Sequence, residues 1–152
     1  FSNAALHWMD HPDAVIDGVW RALRPGGRFV AECGGEGNVA LIVGALEPAL
    51  QARGMSAKGL WYFPSAAQYR QLLEARGFDV HSISLFPRPT PLPGDVGAWI
   101  ETFAQPYLQA MPEAKRKPFL GEITDALRPL MRGADGVWTA DYVRLRFAAV
   151  KR

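Results

Sequence analysis

The sequence predicts an α/β fold, a sheet whose strands alternate along the chain with the helices that cover it. Three observations lead there. Apolar residues at 15, 16, 19, 20 and 23 recur at the three- and four-residue steps of a helix, whereas Val143, Leu145 and Phe147 alternate at the two-residue step of a strand. "RFVAEC" (28–33) is a short apolar run closed on both sides by glycines, as a buried strand requires. The order of patterns is helix, strand, helices, strand, helical pair, strand, which is the alternation of a layered α/β domain.

The elements follow in order. Asp10 is placed to cap the first helix and Pro12 suits its first turn. Arg21 and Arg24 lie in its last turn, where cations suit the helix dipole, and Pro25-Gly26-Gly27 ends it. After "RFVAEC" and a glycine turn, "NVALIVGALEPALQARG" has the apolar content of a helix that Pro48 should kink or split. "SAAQYRQLLEARGF" carries a capping box in Ser65 and Gln68 and a closing Gly77. "DVHSISLF" (79–86) reads as a strand, and "PRPTPLPG" (87–94) as a rigid connector, though its prolines could also engage a proline-binding module. Two helical patterns follow, one through Val96, Trp99, Ile100, Phe103 and Tyr107, the other from Phe119 to Leu130. After the Asp135-Gly136 turn comes a long final strand, expected at about 137–150.

Composition narrows the function classes. A chain of 152 residues, 49% hydrophobic and 21% charged, is long enough for one well-buried core. Its charge of +2 is scattered apart from "KRK" at 115–117, so no nucleic-acid face is inferred. No apolar run approaches the ~20 residues of a membrane span, so no membrane partner is expected. The single Cys33 excludes an internal disulfide and fits a reducing compartment, so a cytoplasmic location is expected. Phe1 stands ahead of Ser-Asn-Ala, so that triplet is read as native.

"FSNAALHW", a capped helix and then "WRALRPGGRFVAECGGEGN" resemble the second half of a class I S-adenosylmethionine-dependent methyltransferase, in the branch that includes trans-aconitate methyltransferase. "WTADYVRLRFAAVKR" resembles the antiparallel strand that closes such domains. The likeness covers residues 1–86 and 136–152. It implies the C-terminal part of a Rossmann-like methyltransferase sheet, with an antiparallel last strand and a helical insertion. Residues 1–93 would be core from the end of strand four to strand six, 94–133 a helical lid, and 134–152 the final core strand. The strands near 28–33 and 79–86 would be parallel, with the last strand antiparallel between them. The pair at 94–132 would pack over the mouth formed by Cys33–Asn38 and Trp61. The implied cofactor is S-adenosylmethionine and the implied partner a small-molecule methyl acceptor, most simply an oxygen nucleophile. By resemblance, Ser2, Asn3 and Ala4 line the methionine end of the cofactor.

The family's glycine-rich loop after strand one and acidic residue after strand two have no counterpart in this sequence. The chain is therefore expected to be the C-terminal part of a longer protein, to bind cofactor poorly alone, and to self-associate through an open sheet edge.

The resemblance makes His7 a catalytic candidate, since the family places a histidine there; packing against the sheet edge is the equal alternative. Trp8, Glu32, Asn38, Trp61 and Trp138 are acceptor-side candidates, with core packing the competing role for each tryptophan. Arg144 and Arg146 share a face of the last strand and read either as a structural salt bridge or as a clamp for an acceptor carboxylate. His7 and His11 cannot form a helical metal pair, because Pro12 intervenes and no cysteine or acidic cluster completes a site, so no metal is expected. "GEGNVA" (35–40) fits the G-x-G-x-x-A dinucleotide fingerprint after a strand and before a helix, which leaves a nicotinamide-binding oxidoreductase as a rival reading. A non-catalytic interaction module is the other.

Overall fold

The computed structural model describes residues 1–57 and 59–152. The chain forms two units. One comprises residues 1–38, 61–88 and 143–152; the other comprises 39–60 and 89–142.

The first unit is built on a four-stranded sheet: β1 (Ser2–Asn3), β2 (Arg28–Gly34), β3 (Phe78–Pro87) and β6 (Val143–Lys151), in the order β1-β2-β6-β3. β1 runs parallel to β2, with Ser2 opposite Ala31 and Asn3 opposite Glu32. β6 is antiparallel to both β2 and β3, pairing Gly34 with Arg144 on one side and Phe86 with Arg144 on the other. β2 and β3 are thus parallel with β6 between them, as expected. The last strand begins six residues later than the sequence suggests, because Val137 to Tyr142 belong to other features, including the two-residue β5 (Thr139–Ala140).

Alternation decides which face of this sheet is buried. Phe29, Ala31 and Cys33 of β2 line up with Leu145, Phe147 and Ala149 of β6, and with Phe78 and Val80 of β3. Phe29 and Phe147 meet edge to face, 4.9 Å between centroids. Two helices cover that face, α1 (Pro12–Ala22) through Ile16 and α3 (Ala66–Arg76) through Tyr69 and Leu73.

The ends of both helices are satisfied in different ways. Asp10 is not the cap of α1: His11 occupies the N-cap position without a side-chain hydrogen bond, because Pro12 fixes the helix start one residue later. At the other end of α1, Lys151 donates from Nζ to the carbonyls of Trp20 (2.7 Å) and Leu23 (2.8 Å), supplying the cation that the dipole favours. α3 has the expected capping box, Gln68 N–H to Ser65 Oγ at 3.2 Å and Ser65 N–H to Gln68 Oε1 at 2.9 Å. It ends at Gly77 in the left-handed region, φ +102°.

The second unit is mainly helical: α2 (Ala40–Gln51), α4 (Val96–Phe103), α5 (Gln105–Gln109) and α6 (Glu113–Met131), with a ribbon pairing β4 (Thr90–Pro91) to β5. Ile42, Leu46 and Leu50 form the buried stripe of α2, and Phe119, Ile123, Leu127 and Met131 that of α6. Asp141 holds the start of α2, its carbonyl accepting from Val39 and its Oδ2 from Leu41 N–H at 2.9 Å.

Three expectations are corrected here. Pro48 does not split α2, which continues through it to Gln51; the carbonyl that loses its partner belongs to Gly44, which has no side chain to crowd the proline ring. The expected helical pair is three helices, because Pro106 in the first turn of α5 cannot donate back into α4 and the chain breaks at Ala104. "PRPTPLPG" is not only a connector, since Thr90–Pro91 pairs with Thr139–Ala140.

Gly77 and Gly54 test the cost of left-handed backbone with and without crowding. Both have positive φ, but an added Cβ at Gly77 would lie 3.0 Å from the Trp20 ring, whereas Gly54 faces open space. Gly54→Ala should cost about 1–2 kcal/mol, the strain of the backbone alone. Gly77→Ala should cost more, read as a larger drop in urea midpoint at unchanged slope.

Candidate functional site

In open α/β sheets, ligands bind beyond the carboxyl ends of parallel strands, where backbone ends converge and loops can shape a pocket. In the first unit that edge is where β1 and β2 end. β1 ends at Asn3, whose side chain is exposed, and Ala4 follows with φ +53°, a left-handed conformation rare for alanine. Its N–H donates to the Glu32 carbonyl at 2.8 Å, which holds the strained turn against β2. Ser2, Asn3 and Ala4 therefore sit together at a strand end. An exposed carboxamide there offers both a donor and an acceptor, a fit for the zwitterionic head of an amino-acid-like ligand.

His7 lies in the short 3-10 turn Leu6–Trp8 that follows and is buried. Its Nδ1 accepts the Gly34 N–H at 2.9 Å. Its carbonyl accepts from Tyr62 N–H, also at 2.9 Å, which ties the 61–63 segment to the same turn. Burial first, and then the Arg144 charge, push its pKa down to about 4, so the ring is neutral at physiological pH. Around it stand Trp8 at 5.4 Å and Phe63 at 5.9 Å between centroids. Trp61 stacks on Phe63 and meets Trp8 edge-on. His7, Trp8 and Trp61, far apart in sequence, are brought into one aromatic cluster.

The other candidates have different surroundings. Glu32 holds two arginines: Oε1 accepts from Arg88 Nη1 at 2.5 Å, and Oε2 from Arg146 Nε at 2.8 Å. Burial would raise its carboxyl pKa, but the hydrogen bonds and charges of Arg146 and Arg88 outweigh it and hold the group below the usual carboxylate range. Both oxygens are committed to a clamp across β2, β6 and the residue after β3. Asn38 is buried and its Oδ1 accepts the Val143 N–H at 2.9 Å, satisfying the first amide of β6. Trp138 belongs to the helical unit, buried there with the Arg128 guanidinium 5.7 Å from its ring. Cys33 is buried in the core with its thiol pKa pushed up to about 11 by desolvation, so it behaves as a small hydrophobe. Among the described residues no helix is long and apolar enough to cross a membrane, and no group of three His, Cys, Asp or Glu could hold a metal.

"GEGNVA" lacks the surroundings of a dinucleotide site. That fingerprint needs the next strand in sequence beside the first. Here β6 separates β2 from β3. Gly34, just before the motif, and Gly35, its first residue, serve packing: a Cβ on Gly34 would lie 2.6 Å from Phe63, and one on Gly35 would collide with Leu85. Sequence reasoning missed Phe63, Arg88 and the Gly34 N–H. The run Trp61-Tyr62-Phe63 was the available signal for the first; nothing local marks the other two.

The Glu32 clamp has a pH signature. A carboxylate whose folded pKa is depressed contributes stability above its unfolded pKa, and that contribution is lost as pH falls through the folded value. Glu32→Gln should cost about 1–2 kcal/mol at pH 7, the scale of a charge-assisted hydrogen bond with half-exposed partners. The difference from wild type should shrink in urea titrations below about pH 4.

No protein-family model matches the chain. It is 42% identical over 161 aligned residues to an uncharacterized methyltransferase of Schizosaccharomyces pombe, covering 99% of this chain and 61% of that protein. The chain thus spans about three fifths of its relative's length. Among solved structures, it matches loganic acid methyltransferase with S-adenosylhomocysteine at TM-score 0.62 and 15% identity, covering 99% of this chain and 60% of that one. It matches the YcgJ protein of Bacillus subtilis at TM-score 0.57 and 14% identity, covering 99% and 62%. At such identities the structures speak for the fold, and the yeast relative speaks for the sequence. In sequence the chain is similar to a methyltransferase, and in fold to solved structures that include a methyltransferase.

Proposed function

We propose that the protein containing this chain transfers a methyl group from S-adenosylmethionine to an oxygen of a small-molecule acceptor. The observation that carries this reading is the carboxyl end of the β1–β2 pair. There Ser2, Asn3 and a left-handed Ala4 adjoin a buried histidine and an aromatic cluster, in a chain 42% identical to a methyltransferase. Ser2, Asn3 and Ala4 would hold the methionine end of the cofactor. The bound cofactor supplies a methyl group already activated on a sulfonium. The work left to these residues is to align the acceptor and exclude water. Trp8, Trp61 and Phe63 supply apolar wall on the acceptor side, and His7 lies among them. Glu32, bonded to Arg88 and Arg146, remains an acceptor-side candidate of this reading. A cytoplasmic location is part of the same proposal.

Two measurements test it. Calorimetry of the whole protein should show S-adenosylhomocysteine binding, and Asn3→Leu should weaken it about tenfold, the loss of one hydrogen bond to a charged group. No heat with the wild type would return the interaction-module reading. The 152-residue chain alone should bind at least about a hundredfold more weakly, since ribose and adenine contacts implied by the resemblance lie outside it and each is worth roughly a factor of ten. Trp61→Ala should raise the acceptor KM about tenfold with the cofactor Kd unchanged, the scale of one lost aromatic contact with its buried area.

A further inference from the structure

Histidine can accept a proton or donate one, and the hydrogen bond at one nitrogen decides what the other can do. At His7 that decision is made by the backbone. Gly34 N–H donates to Nδ1 at 2.9 Å within the buried part of the unit, so the neutral ring carries its proton on Nε2. Nε2 has no hydrogen-bond partner among the described residues, yet it is not buried, so it opens to the surface from a side chain that is only 7% exposed. The ring cannot swing to escape this assignment. Trp8 and Phe63 flank it, and the His7 carbonyl is held by Tyr62.

A ring so fixed is a poor general base. Its free lone pair is spent on Gly34, and protonating it would break that bond beside the Arg144 guanidinium, whose charge opposes a second cation. It is a good donor. An oxygen nucleophile has more than one lone pair, and only one attacks the methyl carbon. A donor on another lone pair lowers nucleophilicity slightly but fixes the direction of attack, and alignment is the larger effect in a displacement with an activated donor.

We propose that His7 is a fixed neutral hydrogen-bond donor that positions the methyl-acceptor oxygen through Nε2–H, with the Gly34 N–H setting its tautomer. The role in methyl transfer rests on the function proposed above; the donor itself does not. No proton leaves the acceptor through His7, so the acceptor oxygen either arrives ionised or loses its proton elsewhere.

The test uses the 152-residue chain with ¹⁵N-labelled histidine and long-range ¹H–¹⁵N correlation. The expected spectrum shows His7 protonated at Nε2 and bare at Nδ1 at pH 7, holding that form until the ring titrates near pH 4. A proton on Nδ1, or titration at the ordinary histidine value, overturns the proposal. Sodium acetate is then added as a minimal oxyanion, against sodium chloride at equal ionic strength. A saturable downfield shift of the Nε2 proton with acetate alone supports the proposal, and its absence overturns it. The variants separate donation from packing. His7→Gln keeps a donor near the Nε2 position and should retain acetate-dependent shifts in the neighbouring Trp8 and Phe63 signals, whereas His7→Phe keeps the ring volume and should lose them. Equal responses of the two variants overturn the proposal. None of these readouts uses S-adenosylmethionine, so failure of the methyl-transfer reading and failure of this one are told apart.

Discussion

Everything in the first unit depends on the double pairing of β6. Nine residues supply the hydrogen bonds for one side of β2 and for β3, and every buried alternate residue of β6 faces the same core. Without it β2 would keep only the two-residue β1 as a neighbour, and β3 would have none. The site inherits this dependence. Gly34, which sets the His7 tautomer, is the last β2 residue paired to β6, and Glu32 is clamped by a β6 arginine. β6 in turn is tied at its start by Asn38 Oδ1 and at its end by Lys151, which closes α1.

The site is held together by groups that do no chemistry of their own. Buried polar atoms must find partners, and the partners here are mostly backbone. Ala4 bonds β2, His7 bonds β2 and the 61–63 segment, and Glu36 N–H bonds the Pro64 carbonyl. These bonds fix three stretches distant in sequence around one strand end. The rings of Trp8, Trp61 and Phe63 pack around His7 in the space between these stretches. This explains how an alanine can be kept left-handed: the surrounding bonds over-determine it.

Legibility in the sequence followed the range of the interaction. The α3 capping box and Gly77 are written within a dozen residues and were readable, as were the strand at 28–33 and the parallel sense of β2 and β3 once the family likeness was seen. Features that join distant residues were not. Asn38 is an acceptor-side candidate by resemblance, but the sequence gives no sign of its bond to Val143, 105 residues away. The partner of Glu32, Arg146, lies 114 residues off, and nothing local in the sequence marks the pairing. The resemblance singles out His7, but its protonation geometry depends on Gly34, 27 residues downstream. The proline rules misled at Pro48, since they describe cost and not outcome, and the cost there falls opposite a glycine.

The placement of β6 has a consequence for how the molecule is made. β6 sits inside the sheet, yet it follows both of its neighbours, β2 and β3, in chain order. Until it arrives, β2 and β3 have no partner between them, and α4, α5 and α6 are synthesised between β3 and β6. The nascent chain therefore carries two unsatisfied strand edges through the translation of more than fifty further residues, after β3 ends at Pro87 and before β6 begins at Val143. Such edges recruit other strands, including those of neighbouring nascent copies. Long-range closure of this kind is also slow, because the loop entropy is lost before the pairing is gained. Early folding then falls to the helical unit, whose buried stripes on α2 and α6 are complete before β6 is made.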